Sequence, residues 1–197
     1  EATEHVIAWP VGWSLVASWL YPRETGYDAW AFVSADQLDQ IGRAFVHLSS
    51  DFEITESVLH EFPDSLRLFG SVRTHTPNGG MAFVQFCANN QIDPSLIAYL
   101  RFEHYSPTGE LLHLRHYPCT GGVIRQVVPT TDGFAVAFSS LSGLGPAGFG
   151  KVLRFDENLN YQNGFVLPDV NGAVQTPGQD SLLSITGLFP LRHGRPI

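Results

Sequence analysis

The chain has a single lysine, Lys151, a single methionine and two cysteines among its 197 residues. Charged residues make up only 15% of it, and the balance is acidic, with a net charge of −8. A phosphate backbone needs a basic face, so this shortage of cations excludes nucleic acid as an expected partner. Long apolar runs are missing too: none approaches the roughly 20 residues that cross a bilayer as a helix. Helix periodicity is poor throughout, and no G-x-S-x-G, H-E-x-x-H or P-loop occurs, which removes the motif-borne hydrolase, zinc-protease and nucleotide chemistries. Two cysteines fix no redox compartment. A Cys87–Cys119 bridge and a pair of buried thiols both fit the spacing.

What the chain does have is 44% hydrophobic residues, 14 Phe, 19 Gly and 13 Pro. That mixture points to a β-rich globular protein and away from disorder. Apolar residues alternate or run in short blocks between Gly/Pro/Asn/Asp clusters, as strands and turns do. Three turn glycines, Gly12, Gly80 and Gly133, each lead into an apolar strand: "WSLVAS", "MAFVQF" and "FAVAFS". A polar or glycine-rich gap follows each, then a second apolar strand: "DAWAFVS", "LIAYLRF" or "GKVLRFD". Further turn glycines at Gly42, Gly109 and Gly164 are each followed by a fourth strand, "RAFVHLS", "ELLHLRHY" or "FVLP", and "HVIAW", "LRLFGSV" and "GVIRQVV" supply the first.

Four consecutive antiparallel strands, repeated at about 50 residues, are the signature of a propeller blade. The expected fold is therefore all-β: a β-propeller-like array of four-stranded antiparallel blades in one segment, residues 1–197. Three full repeats fall at about 5–49, 66–118 and 121–168, with 50–65 set apart as an insertion. A partial fourth repeat, 170–197, would need its third strand beyond Ile197. The expected ring is incomplete. Its missing blades would come from another protein chain or from further polypeptide of the same propeller.

Two stretches, "PTTDGFAVAFSSLSGLGPAGFGKVLRFDENLN" (129–160) and "GWSLVASWLYPRETGYDAWAFVSADQLDQIG" (12–42), carry a family likeness. Asp132-Gly133 occupies a "DGG"-type turn, Asp28-Ala29-Trp30 a "DAW"-type strand and Arg154-Phe155-Asp156 a "KLD"-type strand. This pattern resembles the β-propeller repeat of secreted bacterial proteins. The resemblance implies a propeller architecture and a secreted or cell-surface location, and it brings no catalytic residues with it.

Candidate chemistry is sparse. Gly143, Gly145 and Gly148 spell G-x-G-x-x-G, but a dinucleotide loop needs a helix after it, and "GKVLRFD" reads as a strand. Asp156, Asn158 and Asn160 alternate like the start of a calcium loop. An EF-hand would require glycine and glutamate where Tyr161 and Leu167 stand, so only a looser structural calcium site is left, beside the reading as a plain hairpin turn. His113 and His116 fall on opposite faces of a strand, which prevents joint ligation, and His47, His60, His75 and His104 are scattered through the repeats. Tyr21, Arg23 and Tyr27 read as loop residues able to stack on a sugar or a partner surface. Asp51, Glu53, Glu56, Glu61 and Asp64 read as a solvated acidic face.

No cofactor is expected apart from that calcium. The function that follows is a non-enzymatic secreted propeller segment, acting as scaffold or protein-interaction surface in a larger assembly. The alternatives are a fragment of a carbohydrate-active propeller enzyme and a carbohydrate-binding module.

Overall fold

A computed structural model describes residues 12–35, 40–62, 66–89, 98–119, 122–141, 144 and 150–167. Every regular element among them is a β-strand. In chain order they are β1 (Trp13–Arg23), β2 (Gly26–Ala35), β3 (Ile41–Leu48), β4 (Ile54–Glu61), β5 (Leu66–His75), β6 (Met81–Asn89), β7 (Ala98–Tyr105), β8 (Leu111–Cys119), β9 (Gly122–Thr130), β10 (Gly133–Leu141), β11 (Lys151–Asp156) and β12 (Tyr161–Val166). They form three four-stranded sheets, β1–β4, β5–β8 and β9–β12, each ordered as in the chain. The strand pairs are antiparallel. This agrees with the expected all-β class and with four consecutive antiparallel strands per sheet.

One glycine in each sheet explains how the meander is locked. An added methyl at Gly26, Gly80 or Gly133 would lie 2.1 Å from the carbonyl oxygen of Leu48, Tyr105 or Phe155, the end of the sheet's third strand. No side chain fits that gap, so glycine is required where the second strand begins. These glycines are 54 and 53 residues apart. Gly26, and not Gly12, is thus the partner of Gly80 and Gly133 in the first sheet. The apolar run after Gly12 concealed this, because "WSLVAS" looks like a second strand and is in fact the first. With that register, residues 54–61 of the stretch set apart as an insertion form β4, hydrogen-bonded to β3. The first-strand candidate at 5–9, the fourth repeat at 170–197 and the glycines of the G-x-G-x-x-G lie outside the described residues. That glycine-rich stretch joins β10 to its antiparallel neighbour β11, so no helix follows it.

A shared five-residue loop closes the hairpins. Phe52 N donates to Ser49 O at 3.0 Å and Ser49 N to Glu53 O at 2.9 Å; Leu159 and Asp156, with Asn160, repeat both bonds at 2.9 Å. Thr76, Gly79 and Gly80 form the same pair of bonds before β6. The fourth residue of each of these loops has positive φ: Phe52, Gly79 and Leu159, as does Gly109 in the β7–β8 turn. A side chain there costs about 1–2 kcal/mol. Burial offsets it: Leu159 is fully enclosed, and Phe52 stacks on Tyr27 with centroids 4.8 Å apart. Enclosing a leucine is worth roughly 1.5–3 kcal/mol.

The chain divides into two compact units, residues 1–66 with Thr108–Glu110, and residues 67–107 with 111–197. In the first, β2 and β3 put small aliphatic groups on one face (Ala29, Ala31, Val33, Ala44, Val46) and aromatics on the other. Trp30 packs on Phe45 at 4.9 Å, and Arg43 lies over the Phe62 ring at 5.7 Å. In the second unit the two sheets share one core, with Ala82, Val84, Phe86, Leu100 and Phe102 meeting Phe134, Val136, Phe138, Leu153 and Phe155. Phe102 is its centre, edge-on to Phe134 at 5.4 Å and to Phe155 at 5.2 Å. Tyr117 crosses from β8 and donates to Leu159 O, while its oxygen accepts from Tyr161 N at 2.9 Å.

Alanine at Gly26 is expected to cost more than about 2 kcal/mol in urea unfolding, because a backbone carbonyl must move. Alanine at Gly12, whose surroundings are open, loses only the left-handed preference, about 1 kcal/mol. Equal losses at the two positions would contradict the register.

Candidate functional site

Strand register assembles polar groups that lie far apart in the sequence. Tyr21 pairs with Asp28, Asp28 with His47 and His47 with Glu56, so one row crosses all four strands of the first sheet. Directly paired residues share a face. Asp28 is the buried member, and its carboxylate accepts from the Arg23 guanidinium through Nε and Nη2. Its other oxygen lies 2.8 Å from His47 Nδ1. A carboxylate can only accept, so the network assigns a proton to Nδ1. Among the described residues, Asp28 is the sole polar partner of the His47 ring. The half-exposed Arg23 and His47 side chains bring this charge cluster to the end of the sheet, beside the Glu24–Thr25 turn.

Such a cluster orients the imidazole and fixes a proton at Nδ1. Arg23 and Tyr21 thus come together, but not as loop residues: both end β1, and Tyr27 begins β2. A two-residue turn joins the strands, made tight by Gly26 at φ 114°. Tyr27 alternates to the opposite face, where it packs with Ala29, Val46 and Leu48.

A second polar cluster lies on β6–β8. Glu103 is fully buried; Oε1 accepts from Arg101 Nε and from Gln85 Nε2 at 3.3 Å, and Oε2 from Tyr105 OH at 3.1 Å. Arg101 Nη1 is 3.3 Å from His116 Nε2. Burial, then the Arg101 charge, holds the His116 pKa below its ordinary value against the opposing pull of Glu103. A neutral His116 accepts the Arg101 hydrogen. Each partner has its bond, which suits a group that fixes strand register more than one that turns over substrate.

The remaining expected positions are placed as follows. Asp156, Asn158 and Asn160 form the β11–β12 turn. Asp156 Oδ1 accepts from Asn160 N at 2.8 Å, and Oδ2 from Asn160 Nδ2 and Gln162 Nε2, both at 3.0 Å. Desolvation raises the Asp156 pKa, but these bonds outweigh it and leave the value lowered. The carboxylate closes its own turn. Among the described residues no group of three or more His, Cys, Asp or Glu side chains converges as a metal site. Cys87 and Cys119 are both buried. Cys87 pairs with Tyr99 while Cys119 pairs with Ala98, so the two thiols sit in successive rows and point to opposite faces.

The Asp28–His47 pair and the Glu103 cluster escaped the sequence reading. Asp28 stood there as an architectural residue and His47 as a scattered one. Their 19-residue separation carries no meaning until β2 and β3 are aligned. No family model, curated protein or solved structure matches this chain.

Asp28→Asn should strip both Arg23 and His47 of their charged acceptor and cost about 1–3 kcal/mol of stability. A double-mutant cycle with His47→Gln should give a coupling of at least about 0.5 kcal/mol. Additive losses would show that the contact carries no energy. Separately, thiol titration is expected to find two reactive groups in denaturant and none in the native protein.

Proposed function

We propose that this chain is part of a secreted β-propeller that serves, without chemistry of its own, as scaffold or protein-interaction surface in a larger assembly. The observation that carries this reading is the repeat of four-stranded meanders, with matched glycines at 26, 80 and 133. Two of these sheets share a single apolar core through their faces, as neighbouring blades would. Secretion enters through the resemblance of the repeat to that of secreted bacterial proteins.

The polar clusters support a non-catalytic role. Glu103 and Asp156 spend their oxygens on groups of the same sheet, and an acceptor so engaged is a poor base. Apolar exposure supports an interaction surface: Leu15, Val16 and Leu20 on β1 are 44–56% exposed. Edge strands with apolar side chains are costly to leave open, which favours a partner along β1.

Native mass spectrometry and electron microscopy of the particle that carries this chain test the proposal. The expected result is a ring heavier than the chain alone, its extra mass made of further blades. A stable monomer of this chain without a ring overturns it.

A further inference from the structure

His104 differs from the other buried polar groups. It lies on β7 at 7% exposure, and neither Nδ1 nor Nε2 has a hydrogen-bond partner. The desolvation of such a group is ordinarily offset by a bond. Its neighbours are known from each packed element. Ala82 of β6 and His113 of β8 pair with it on either side, the two imidazole centroids 5.7 Å apart. From the third sheet Phe134 of β10 meets the ring edge to face at 5.4 Å. From the β11–β12 turn comes Glu157, whose backbone and carboxylate favour the cation without reaching hydrogen-bond geometry. Glu103 and Tyr105, its neighbours along β7, alternate to the opposite face.

His113 and Glu157 are therefore the ionisable groups that face His104. Burial is the strongest influence and favours the neutral ring; Glu157 opposes it and His113 adds to it. The net effect lowers the pKa from 6.5. A protonated His104 would carry two N–H donors, and the only acceptors named beside it, the Glu157 backbone and carboxylate, are not hydrogen-bonded to the ring while the sheets are closed. Its ring is covered from the third sheet by Phe134, so fuller hydration requires the second and third sheets to part.

We propose that His104, packed on Phe134 and flanked by His113, is a proton-operated latch between the second and third sheets, closed while His104 is neutral and loosened when mild acid protonates it. The sign follows from linkage. The unfolded chain takes up this proton near pH 6.5, and the closed form takes it up only at lower pH. Stability is present in full above pH 6.5 and falls as the pH drops below it. The fall approaches tenfold in the folding equilibrium constant per pH unit, until the closed form titrates as well.

The test uses the full chain. Imidazole NMR should give His104 a midpoint clearly below 6.5. Urea unfolding at pH 7.5 and 5.5 should show wild type losing several-fold more of its folding constant than His104→Phe. His116→Gln controls for the other depressed histidine and should leave the His104-dependent part of the loss unchanged. Amide exchange, corrected for intrinsic rates, should speed up along β10 at pH 5.5 in wild type but not in His104→Phe. A His104 midpoint at or above 6.5 overturns the latch, as does the same pH dependence in His104→Phe. Should that variant fail to fold, the wild-type NMR midpoint alone decides.

Discussion

The structure depends on a contact with no room for a side chain: the start of each second strand against the last carbonyl of the third. At Gly26, Gly80 and Gly133 a methyl would sit 2.1 Å from that oxygen. The close approach sets where the two strands align. Because side chains alternate with a period of two, a slip of one residue would invert every face of the sheet. The register then decides which polar residues meet. Asp28 faces His47, Gln85 faces Arg101 and Ala82 faces His104. Glycine placement thus governs electrostatics several residues away.

Alignment of the sheets on these glycines also shows how one pattern carries different chemistry. His47, His104 and Arg154 occupy the same place, five residues before the loop residue of positive φ. Their second-strand partners are Asp28, Ala82 and Ala135. Where the partner is Asp28, the imidazole finds an acceptor and stays half exposed. Where it is Ala82, the imidazole has no partner. Arg154 turns instead to Asp132, which holds both its oxygens 2.9–3.0 Å from Nη2. A bond from Thr130, then the Arg154 charge, outweighs desolvation and lowers the Asp132 pKa. A position that tolerates three such outcomes belongs to the scaffold's variable chemistry, not to its folding code.

The all-β class and the four-strand unit were legible because they rest on alternation and turn residues, both local signals. Cues of that kind also placed the strands of the second sheet and the first three of the third; Gly164, read as the turn before the last strand, lies inside β12 and pairs with Leu153. The first sheet misled for a physical reason. Its β3–β4 loop carries Phe52 at the residue of positive φ, where the β7–β8 turn has glycine, so the turn had no glycine to announce it. Stacking on Tyr27 makes that tolerable, but a tertiary contact leaves no mark in the local sequence. Gly42 drew attention instead. It lies inside β3, where a methyl would come 2.9 Å from His60 O, so it marks a close approach and not a turn. The polar clusters were illegible for a related reason: Arg101 and His116 meet only after β7 and β8 are paired.

The distribution of satisfied and unsatisfied polar groups bears on how firmly each sheet is held. Glu103 has a donor at each oxygen, Asp28 has two partners, and Asp156 closes its own turn. A buried network completed in this way resists rearrangement, because each bond lost would leave another group desolvated. His104 is the exception, and it lies where two sheets meet over a shared aromatic core. Loss of stability there would be felt by both sheets together. An unpartnered imidazole at that junction converts an otherwise inert contact into one that responds to a proton.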